Sequence, residues 1–553
     1  MKPDQVIAQD PRARAAMDRW GELIVERRRY EQDWEDIARL IRPQRGGFGL
    51  DSPSMRELSK PLSSVPVTSH GNFAAGIYAG ITNPATRWGG LRTPDDDLNR
   101  WPPFADWLDR QTAKVMASFS PSMSSFYPSS YQAYADLSAF GNAGTYDQMD
   151  RENRRFLDVT LSLAELVVSV DFHGRVDEVV RRFKLTPRQA AREFKALPPK
   201  VQELAEKGST EKHTYYQHVV RNDQFVPRAL GPRGKRWLSI YACEVEESLV
   251  RIAGYDEMPF NFPRWDVDSG MTYGTGPGFI ALASARVNDR MEDATLRAAQ
   301  RAADPTRLAP DRDAVPLNGT FRPGAVVYGA IGPNGQRLVQ SDDATGSIGL
   351  TMEEKRAKQE EIKDAFYYTV MSLTGRTGIS DDENRVIEEA RLRNWAPHAD
   401  RIMEEYAAPK FERRFRMLMR AGQIDPAPEG TPGDVPLQVH YTSQTALALK
   451  ASEASSVRRY ILGDLLPLAQ VKPELLDRIS ADDYAEVLHE ASPSLPQRLL
   501  VPREVAAARA QAREQQMQAM QATQMAKDGG AALRDMAQAG AAMQGGSAAD
   551  GND

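Results

Sequence analysis

Apolar positions recur every three or four residues over residues 13–43, and this spacing predicts an amphipathic helix. Its apolar positions are Ile24, Tyr30, Trp34, Ile37 and Ile41. Pro43 is expected to end the helix, because proline cannot continue a hydrogen-bonded ladder. The opposite side carries Arg27, Arg28, Arg29 and Glu31 and is expected to be solvated, with contact to DNA as its less favoured use.

A second helix is predicted from about Ser69, after a Ser- and Pro-rich loop. Three large residues at a spacing of four share one face: Phe73, Ile77 and Ile81. Another face is made of small residues: Ala75, Gly76, Ala79 and Gly80. Small side chains allow close approach of backbones, so this second face is predicted to pack against a neighbouring element.

The stretch from Val170 to Gly208 is predicted to form short helices, one of which starts with Thr186 as N-cap and Pro187 in the first turn. Alternating apolar and polar positions then predict strands over residues 212–222 and 236–255, with a turn at Gly231 to Gly234. The candidate metal ligands His213 and His218 are five residues apart. On a strand that spacing places them on opposite faces.

The glycine-rich stretch TYGTGPG, from Thr272 to Gly278, opens a long predicted helix over residues 279–303. Its apolar stripe is predicted to comprise Ile280, Val287, Met291, Ala294 and Ala298. Asp304 and Pro305 end the helix. A small unit of strands and turns follows over residues 306–350, with a hairpin around Pro333, Asn334 and Gly335.

A further helix is predicted from Thr351, which forms a capping box with Glu354, to about residue 373. The loop GRTGIS follows, and a helical pattern then extends from residue 381 to Arg420. Positions expected to kink or close this last helix are Pro397, Pro409 and Gly422.

The predicted elements together indicate an α+β, mostly helical protein. The composition of its 553 residues, 41% hydrophobic and 26% charged, is that of a folded protein. The single cysteine, Cys243, excludes an internal disulfide and any cysteine cluster for metal ligation. We expect neither a secretory signal nor a membrane span, because no sufficiently long apolar run occurs. A net charge of −6 argues against tight neutralisation of nucleic-acid phosphates.

Motifs for catalysis are missing from the chain. No Gly-Lys-Ser/Thr phosphate loop, Gly-x-Ser-x-Gly elbow or His-Glu-x-x-His motif occurs. Two acidic clusters, Asp95 to Asp97 and Asp381 to Glu383, are better explained as acids that start helices than as metal ligands. We therefore predict no enzyme, catalytic residue, metal or cofactor.

Several stretches of the chain resemble one protein family. In chain order they are WGELIVERRRYEQDWEDIARLIRPQRGGF, NFAAGIYAGITNPATRWGGL, HGRVDEVVRRFKLTPRQAAREF, YGTGPGFIAL and RIMEEYAAPKFERRFRMLMRAGQIDPAP. They are similar to the portal, or head-to-tail connector, proteins of short-tailed, podovirus-like bacteriophages. The resemblance covers about residues 15–450.

The resemblance implies a portal fold with wing, stem, clip and a C-terminal crown or barrel, assembled as a ring that is generally dodecameric. The implied parts are the N-terminal helical and β wing (1–278), first stem helix (279–303), clip (304–350), second stem helix (351–373), channel loop (374–380), kinked wing spine helix (381–424), C-terminal wing and crown helices (425–502), and an Ala/Gln/Met-rich helical tail with a disordered end (503–553).

By the same resemblance, the ring at one capsid vertex conducts DNA during packaging and ejection and docks the terminase and the tail. Expected partners are further copies of the chain, major capsid protein and scaffold, terminase, tail or adaptor proteins, and double-stranded DNA passing without sequence recognition. The expected location is the virion, with the host cytoplasm during assembly. Arg376, Thr377 and Ser380 are the candidate contacts of the channel loop with DNA.

Two alternatives stay open at this point. Residues 185–197 have the small residues of a helix-turn-helix, and a DNA-binding regulator would use them as its recognition unit. A hydrolase with an unrecognised carboxylate site is the other alternative.

Overall fold

The computed structural model describes residues 6–48, 60–85, 87–150, 155–303, 307–308, 333–336, 340–341, 348–367, 397–432 and 438–440, with short runs between 457 and 520. Helices and sheets together confirm the predicted mostly helical α+β class. The chain divides into two compact units. The first comprises Met1–Arg92, Arg110–Pro426 and Leu437–Ala448, and the second comprises Thr93–Asp109, Ala427–Pro436 and Leu449–Asp553.

Ten α-helices are labelled here within the described residues. They are α1 Pro11–Leu40, α2 Val65–Ile81, α3 Asp96–Arg100, α4 Pro102–Ser118, α5 Phe126–Phe140, α6 Pro187–Glu193, α7 Pro199–Glu206, α8 Pro277–Ala303, α9 Ile348–Ala365 and α10 Ala408–Arg420. Two π-helical segments, Met403–Ala407 and Tyr460–Leu465, and the short 3₁₀ turns Leu163–Glu165, Gly231–Gly234 and Val245–Glu247 accompany them.

The described strands form four antiparallel sheets. In chain order they are β1 Gly90–Arg92, β2 Gly144–Asp150, β3 Arg155–Leu161, β4 Leu166–Val170, β5 Val176–Leu185, β6 His213–Arg221, β7 Trp237–Cys243, β8 Ser248–Tyr255, β9 Phe260–Asn261, β10 Arg307–Leu308, β11 Gln340–Ser341 and β12 Gln438–His440. The sheet orders are β4-β5-β6-β7-β8, β3-β2-β9, β1-β12 and β10-β11.

Helix α1 covers one face of the five-stranded sheet. Trp20 and Leu23 pack on Val180 and Leu249 in this core. The expectation that Arg27 lies on a solvated side is wrong. Its side chain is buried, and Nη1 donates to the carbonyl oxygens of Leu163, Ala164 and Leu166 at 2.9–3.0 Å. Those carbonyls belong to the turn before β4 and the start of that strand, so this arginine fastens α1 to the sheet.

The opposite face of the same sheet is covered by α6 and α7. Ala190, Phe194 and Val201 pack there on Tyr215 and Tyr241. Thr186 caps α6 as predicted, in a reciprocal capping box with Gln189. The prediction of helices throughout residues 170–208 is wrong for β5, which pairs with β4 and β6.

The predicted recognition unit at residues 185–197 therefore consists of the end of β5, the seven-residue α6 and the turn after it. Its large side chain Phe194 is buried in the sheet core. The apolar part of this segment has a structural role, and no feature of it favours the alternative of a DNA-binding regulator.

Helix α2 begins earlier than predicted, at Val65, and buries Phe73, Ile77 and Ile81 as expected. It contacts α5, most of whose residues are buried, and α9. The predicted packing of the small-residue face is not observed: Ala75 and Ala79 are exposed, and Gly76 and Gly80 are half-buried.

Helix α8 has the predicted position but not the predicted orientation. Its buried residues are Ala281, Leu282, Ala285 and Asn288. Two members of the predicted apolar stripe, Ile280 and Val287, are 71% and 39% exposed. The inward face of α8 therefore combines Leu282 with the small Ala281 and Ala285, which allow close packing, whereas the branched Ile280 and Val287 face outward.

Helix α9 begins at Ile348, one turn before the predicted start at Thr351. It ends at Ala365, whereas the prediction extends the helix to residue 373. Tyr367 adopts a left-handed φ of 51°, which a helix cannot accommodate, and Phe366 turns into the core with no exposed surface. The left-handed backbone at Tyr367 is therefore the physical reason for the early end.

The described part of the predicted spine helix starts at Pro397 and passes through the π-helical segment before α10. Pro409 lies in the first turn of α10. Proline provides no N–H and its ring crowds the preceding turn, so the wider π-turn accommodates it without a break. Gly422 follows with φ +70°, as expected of a residue that closes a helix.

In the second unit, Asp95 caps α3 by accepting from the backbone N–H groups of Asp97 and Leu98. The interpretation of this acidic cluster as a helix start is confirmed. Trp101, at the end of α3, is half-buried, and Gly430 lies against its ring.

Most of residues 304–350, 425–502 and 503–553 lies outside the described residues. A turn is present at Pro333 to Gly335, as predicted, and β10 pairs with β11. The acidic cluster from Asp381 to Glu383 is also outside the described part of the chain.

Candidate functional site

The predicted channel-loop residues Arg376, Thr377 and Ser380 lie outside the described residues. The chain on either side of them is described, and both ends reach one aromatic cluster. Phe366 and Tyr367 precede the segment, and His398 follows it.

Phe73 and Trp265 form the centre of this aromatic cluster, with ring centroids 5.5 Å apart. Tyr367 stacks on Phe73 at 5.5 Å, and His398 stacks on Trp265 at 4.7 Å. Phe366 packs against His70 at 5.6 Å. Aromatic pairs at these separations are favourable beyond simple burial. The cluster therefore fixes where the segment carrying the channel-loop residues leaves the core and where it returns.

His70 is buried beneath this cluster. Its Nε2 lies 2.8 Å from the carbonyl oxygen of Ala135 in α5, to which it donates as a neutral imidazole. Burial, assisted by the nearby charge of Arg42, lowers the pKa of His70 to about 4. The histidine is therefore an uncharged structural link between α2 and α5 at neutral pH.

The TYGTGPG stretch packs backbone against backbone at the start of α8. A Cβ on Gly278 would lie 2.0 Å from the carbonyl oxygen of Ala139, and a Cβ on Gly276 would lie 3.0 Å from the Cα of Gly141. Asn142 exchanges two hydrogen bonds of 2.8 Å with the backbone of Gly274. These glycines set the position of α8 against α5.

A buried ionic cluster joins α10 to the β2–β3 hairpin. Lys410 lies 3.2 Å from both Asp147 and Asp158. Arg413 donates to Asp147 at 2.6 Å, and Arg414 donates to Asp158 at 2.7 Å. Three cations thus face two carboxylates with almost no exposed surface.

The sequence analysis did not identify this cluster. The available signal was the presence of Lys410, Arg413 and Arg414 among the apolar positions Phe411 and Phe415 of a strongly amphipathic helix. Cations on the buried side of a helix require carboxylate partners. Their partners are more than 250 residues away in sequence, and the pattern gives no indication of which acids they are.

The described residues offer little material for chemistry. No group of three or more His, Cys, Asp or Glu side chains suited to a metal ion occurs among them. Cys243 is buried, and burial raises the pKa of its thiol to about 11. His218 is paired with Glu178 at 2.7 Å, whereas His213 lies at the other end of β6.

No helix in the described part of the chain is both long and apolar enough to cross a membrane. The longest described helices, α1 and α8, each have one side that packs on the protein core and another side that is polar or exposed.

Comparisons with known proteins give the family. The profile described as bacteriophage head to tail connecting protein matches residues 13–500. A probable portal protein of Bordetella phage BPP-1 is 27% identical over 535 residues, covering 93% of this chain and 94% of that relative. A portal protein of Salmonella phage epsilon15 is 27% identical over 525 residues, covering 91% of this chain and 92% of that relative.

Two solved structures are similar at lower levels. A chain in the virion of a native gene transfer agent particle has a TM-score of 0.33 at 13% identity, covering 73% of this chain and 86% of that chain. A chain in the neck of an empty gene transfer agent particle, computed with C6 symmetry, has a TM-score of 0.36 at 12% identity, covering 72% of this chain and 90% of that chain.

The match over residues 13–500 defines the class as a connector between phage head and tail. The chain belongs to the bacteriophage head-to-tail connecting protein family, and its function is that of a portal. The resemblance described under Sequence analysis is confirmed.

Proposed function

We propose that this chain assembles into a dodecameric ring at one vertex of the capsid, where it is the conduit for DNA entering during packaging and leaving during ejection. The observation that carries the proposal is the long α8–α9 hairpin in a chain of this family. With 27 residues, α8 is about 40 Å long, enough to form a tunnel wall when repeated around a ring.

The proposed parts follow the predicted boundaries, with α8 and α9 as stem helices and α10 in the spine helix of the wing. The proposed clip, residues 304–350, lies between the two stem helices. The proposed channel loop, residues 374–380, follows the second stem helix. We place Arg376, Thr377 and Ser380 at the duplex. The aromatic cluster supports this placement, because both ends of their segment are held at the base of the stem.

The proposed conduit holds DNA loosely. Tight neutralisation of phosphates would stall a moving duplex, and a chain with a net charge of −6 has no surplus of cations for it. The partners proposed for the ring are the major capsid protein and scaffold, the terminase that does the work of translocation, and tail or adaptor proteins. Assembly takes place in the host cytoplasm, and the finished ring is part of the virion.

Electron microscopy of the purified full-length chain tests the ring. We expect particles with a central hole and rotational symmetry, and native mass spectrometry of the same sample should give twelve copies. A monodisperse monomer at high protein concentration would contradict the proposal, and a ring of another number would correct the copy count.

A further inference from the structure

A cavity of about 280 Å³ lies between the end of the five-stranded sheet and α10. From the sheet it is lined by Arg221 at the end of β6 and by Arg236 and Trp237 at the start of β7. Arg221 and Trp237 are directly opposite each other in the ladder, so their side chains lie on the same face of the sheet. Helix α10 contributes Pro409 and Glu412. The cavity is therefore walled by two elements of the fold.

The carboxylates of the wall and two of its arginines are already paired within the chain. These pairs are Asp256–Lys235 at 2.7 Å, Glu257–Arg420 at 2.5 Å, Glu412–Arg416, and Asp147–Arg413 of the buried ionic cluster at 2.6 Å. A carboxylate in contact with one cation attracts a further cation only weakly, because the two charges largely cancel at a distance. The acids of the wall therefore do not neutralise its other cations.

Arg221 and Arg236 are the lining cations that remain. Both are exposed, and neither forms an ion pair with a carboxylate in the described part of the chain. Burial raises the pKa of Asp177 on β5, and Arg221 opposes this rise without forming an ion pair with the carboxylate. Arg236 lies over the ring of Phe225 at 6.0 Å. The cavity therefore presents two guanidinium groups to an acid from outside the chain.

Asn261 of β9 adds a buried hydrogen-bond donor to the wall. The residue is 5% exposed, and its Nδ2 donates to no acceptor among the residues that the structure describes. A buried N–H group without an acceptor is unfavourable, so an oxygen atom brought into the cavity is stabilised there. Two guanidinium groups and one amide N–H make the cavity a site for negatively charged oxygen acceptors.

The loop between β6 and β7, residues 222–236, favours a peptide as the source of the acid. Its Leu230 and Val226 are 97% and 53% exposed, and Val226 follows the Phe225 on which Arg236 lies. Such apolar groups offer nothing to phosphates, but they pack on the apolar side chains of a polypeptide. The acids of the wall would also lie close to the repeated charges of a nucleic-acid backbone, whereas a single carboxylate needs only the two arginines.

We propose that the cavity binds a glutamate or aspartate side chain of an acidic peptide segment that also carries apolar residues and belongs to a partner protein. The carboxylate accepts from Arg221 and Arg236, and the apolar residues of the segment pack on Val226 and Leu230. Arginine suits this role because its planar guanidinium matches both oxygens of a carboxylate. All of these residues belong to one chain, so the site goes beyond the proposed conduit and does not depend on the ring.

Fluorescence anisotropy with two labelled peptides tests the site on the full-length chain. One probe alternates glutamate and leucine, and the matched probe has glutamine in place of each glutamate. We expect the acidic probe to bind about tenfold more tightly than the neutral probe, because hydrogen bonds between charged groups are the stronger ones. Arg221→Gln combined with Arg236→Gln should remove this difference. The matched control, Arg188→Gln combined with Arg192→Gln, removes the same charge from exposed positions of α6 and should keep it.

Leu230→Ser separates a peptide site from a simple anion site. This substitution keeps every charge and should weaken the binding of the acidic probe, because an apolar contact is lost. Inorganic phosphate at the same ionic strength should not displace the probe. Displacement by phosphate, together with unchanged binding in Leu230→Ser, would assign the cavity to small anions and overturn the peptide site.

Other results would also overturn the proposal. They are absent binding of the acidic probe to the unaltered chain, equal binding of the two probes, and equal losses in the two double variants. Retention of a short DNA duplex that the Arg221→Gln, Arg236→Gln chain loses, in place of peptide binding, would assign these arginines to nucleic acid. Circular dichroism spectra of every variant check that the fold is retained.

Discussion

Arg414 of α10 and Asp158 of β3 form an ion pair with 2% and 0% exposed side chains, in which Nη2 donates to Oδ2 at 2.7 Å. The guanidinium also stacks on Phe156 at 3.8 Å. Burial would raise the pKa of Asp158, but the charges of Lys410 and Arg414 lower it below its ordinary value. The pair therefore holds α10 on the β2–β3 hairpin in a fully charged state.

Loss of the Asp158 carboxylate should strongly lower the stability of the fold. Asp158→Ala leaves Lys410 and Arg414 with one carboxylate fewer in a buried site, and we expect the free energy of unfolding to fall by about 3–5 kcal/mol. Urea denaturation measures the change. Glu203→Ala breaks the exposed Glu203–Lys207 pair and should cost about 1 kcal/mol at most. Equal effects of the two substitutions would contradict the assigned role of the cluster.

The glycine at the start of α8 should not tolerate a side chain. In Gly278→Ala the new Cβ meets a backbone oxygen at 2.0 Å, which no side-chain rotation relieves. We expect a loss of about 3 kcal/mol or more in unfolding free energy, from the cost of overpacking. Gly71→Ala is the matched control within α2, where no atom lies within 4 Å, and it should be neutral or stabilising.

Local signals predicted local structure well. The Thr186 cap and the Asp95 helix start depend on a few neighbouring residues, and both are observed as expected. The strand β5 was missed because both of its faces are covered. Arg182 lies over the ring of Trp20 on the α1 side, and Arg181 lies over the ring of Phe183. Charged residues whose stems cover aromatic rings erase the alternation that identifies a strand.

Longer-range features could not be predicted from pattern alone. The stripe of α8 was assigned to the core because its branched residues are the most hydrophobic, yet small alanines face the core there. The partners of Arg27 are backbone carbonyls at the beginning of a distant strand. Which face of a helix is buried, and which groups its side chains contact, depends on the element that packs against it. The periodicity of the sequence carries no information about that element.

Stability should depend on pH through His70. In the folded chain its pKa is about 4, whereas an unfolded chain has a value near 6.5. Between these values only the unfolded chain takes up the proton, so the free energy of unfolding falls as pH falls from about 6.5 toward 4, by about 3 kcal/mol in total. Urea denaturation at pH 7, 5.5 and 4.5 measures the slope.

His70→Gln keeps a donor for the Ala135 carbonyl but does not titrate, so it should flatten this slope. Glu178 interferes little. Burial opposes ionisation there, but His218 and Arg19 lower its pKa from 4.5 to about 2, so its contribution to stability begins to fall near pH 4.5 and is lost mainly below the pH range measured. An unchanged slope in the glutamine variant would remove His70 as the cause.

The aromatic cluster should limit the access of proteases to the segment after α9. Phe366→Ala removes a buried ring between His70 and Phe73 and should lower the unfolding free energy by about 3–5 kcal/mol. We also expect faster tryptic cleavage at Arg376. Phe194→Ala, in the core beneath α6, removes a similar ring that is not part of the aromatic cluster and should not accelerate that cleavage. Equal acceleration by both substitutions would indicate general destabilisation.

The channel loop provides the direct test of DNA contact. Replacement of Arg376, Thr377 and Ser380 by alanine removes one positive charge and two hydroxyl groups without touching the aromatic cluster, so rings should form normally. Packaging in an assembly reaction should yield less DNA per head, because the loop loses its contacts with phosphates. An Arg376→Lys variant keeps the charge and should retain more packaged DNA than the triple variant. If the heads fill equally in all three cases, the duplex is guided by residues other than these, and the placement of this segment at the channel has to be abandoned even though the ring remains.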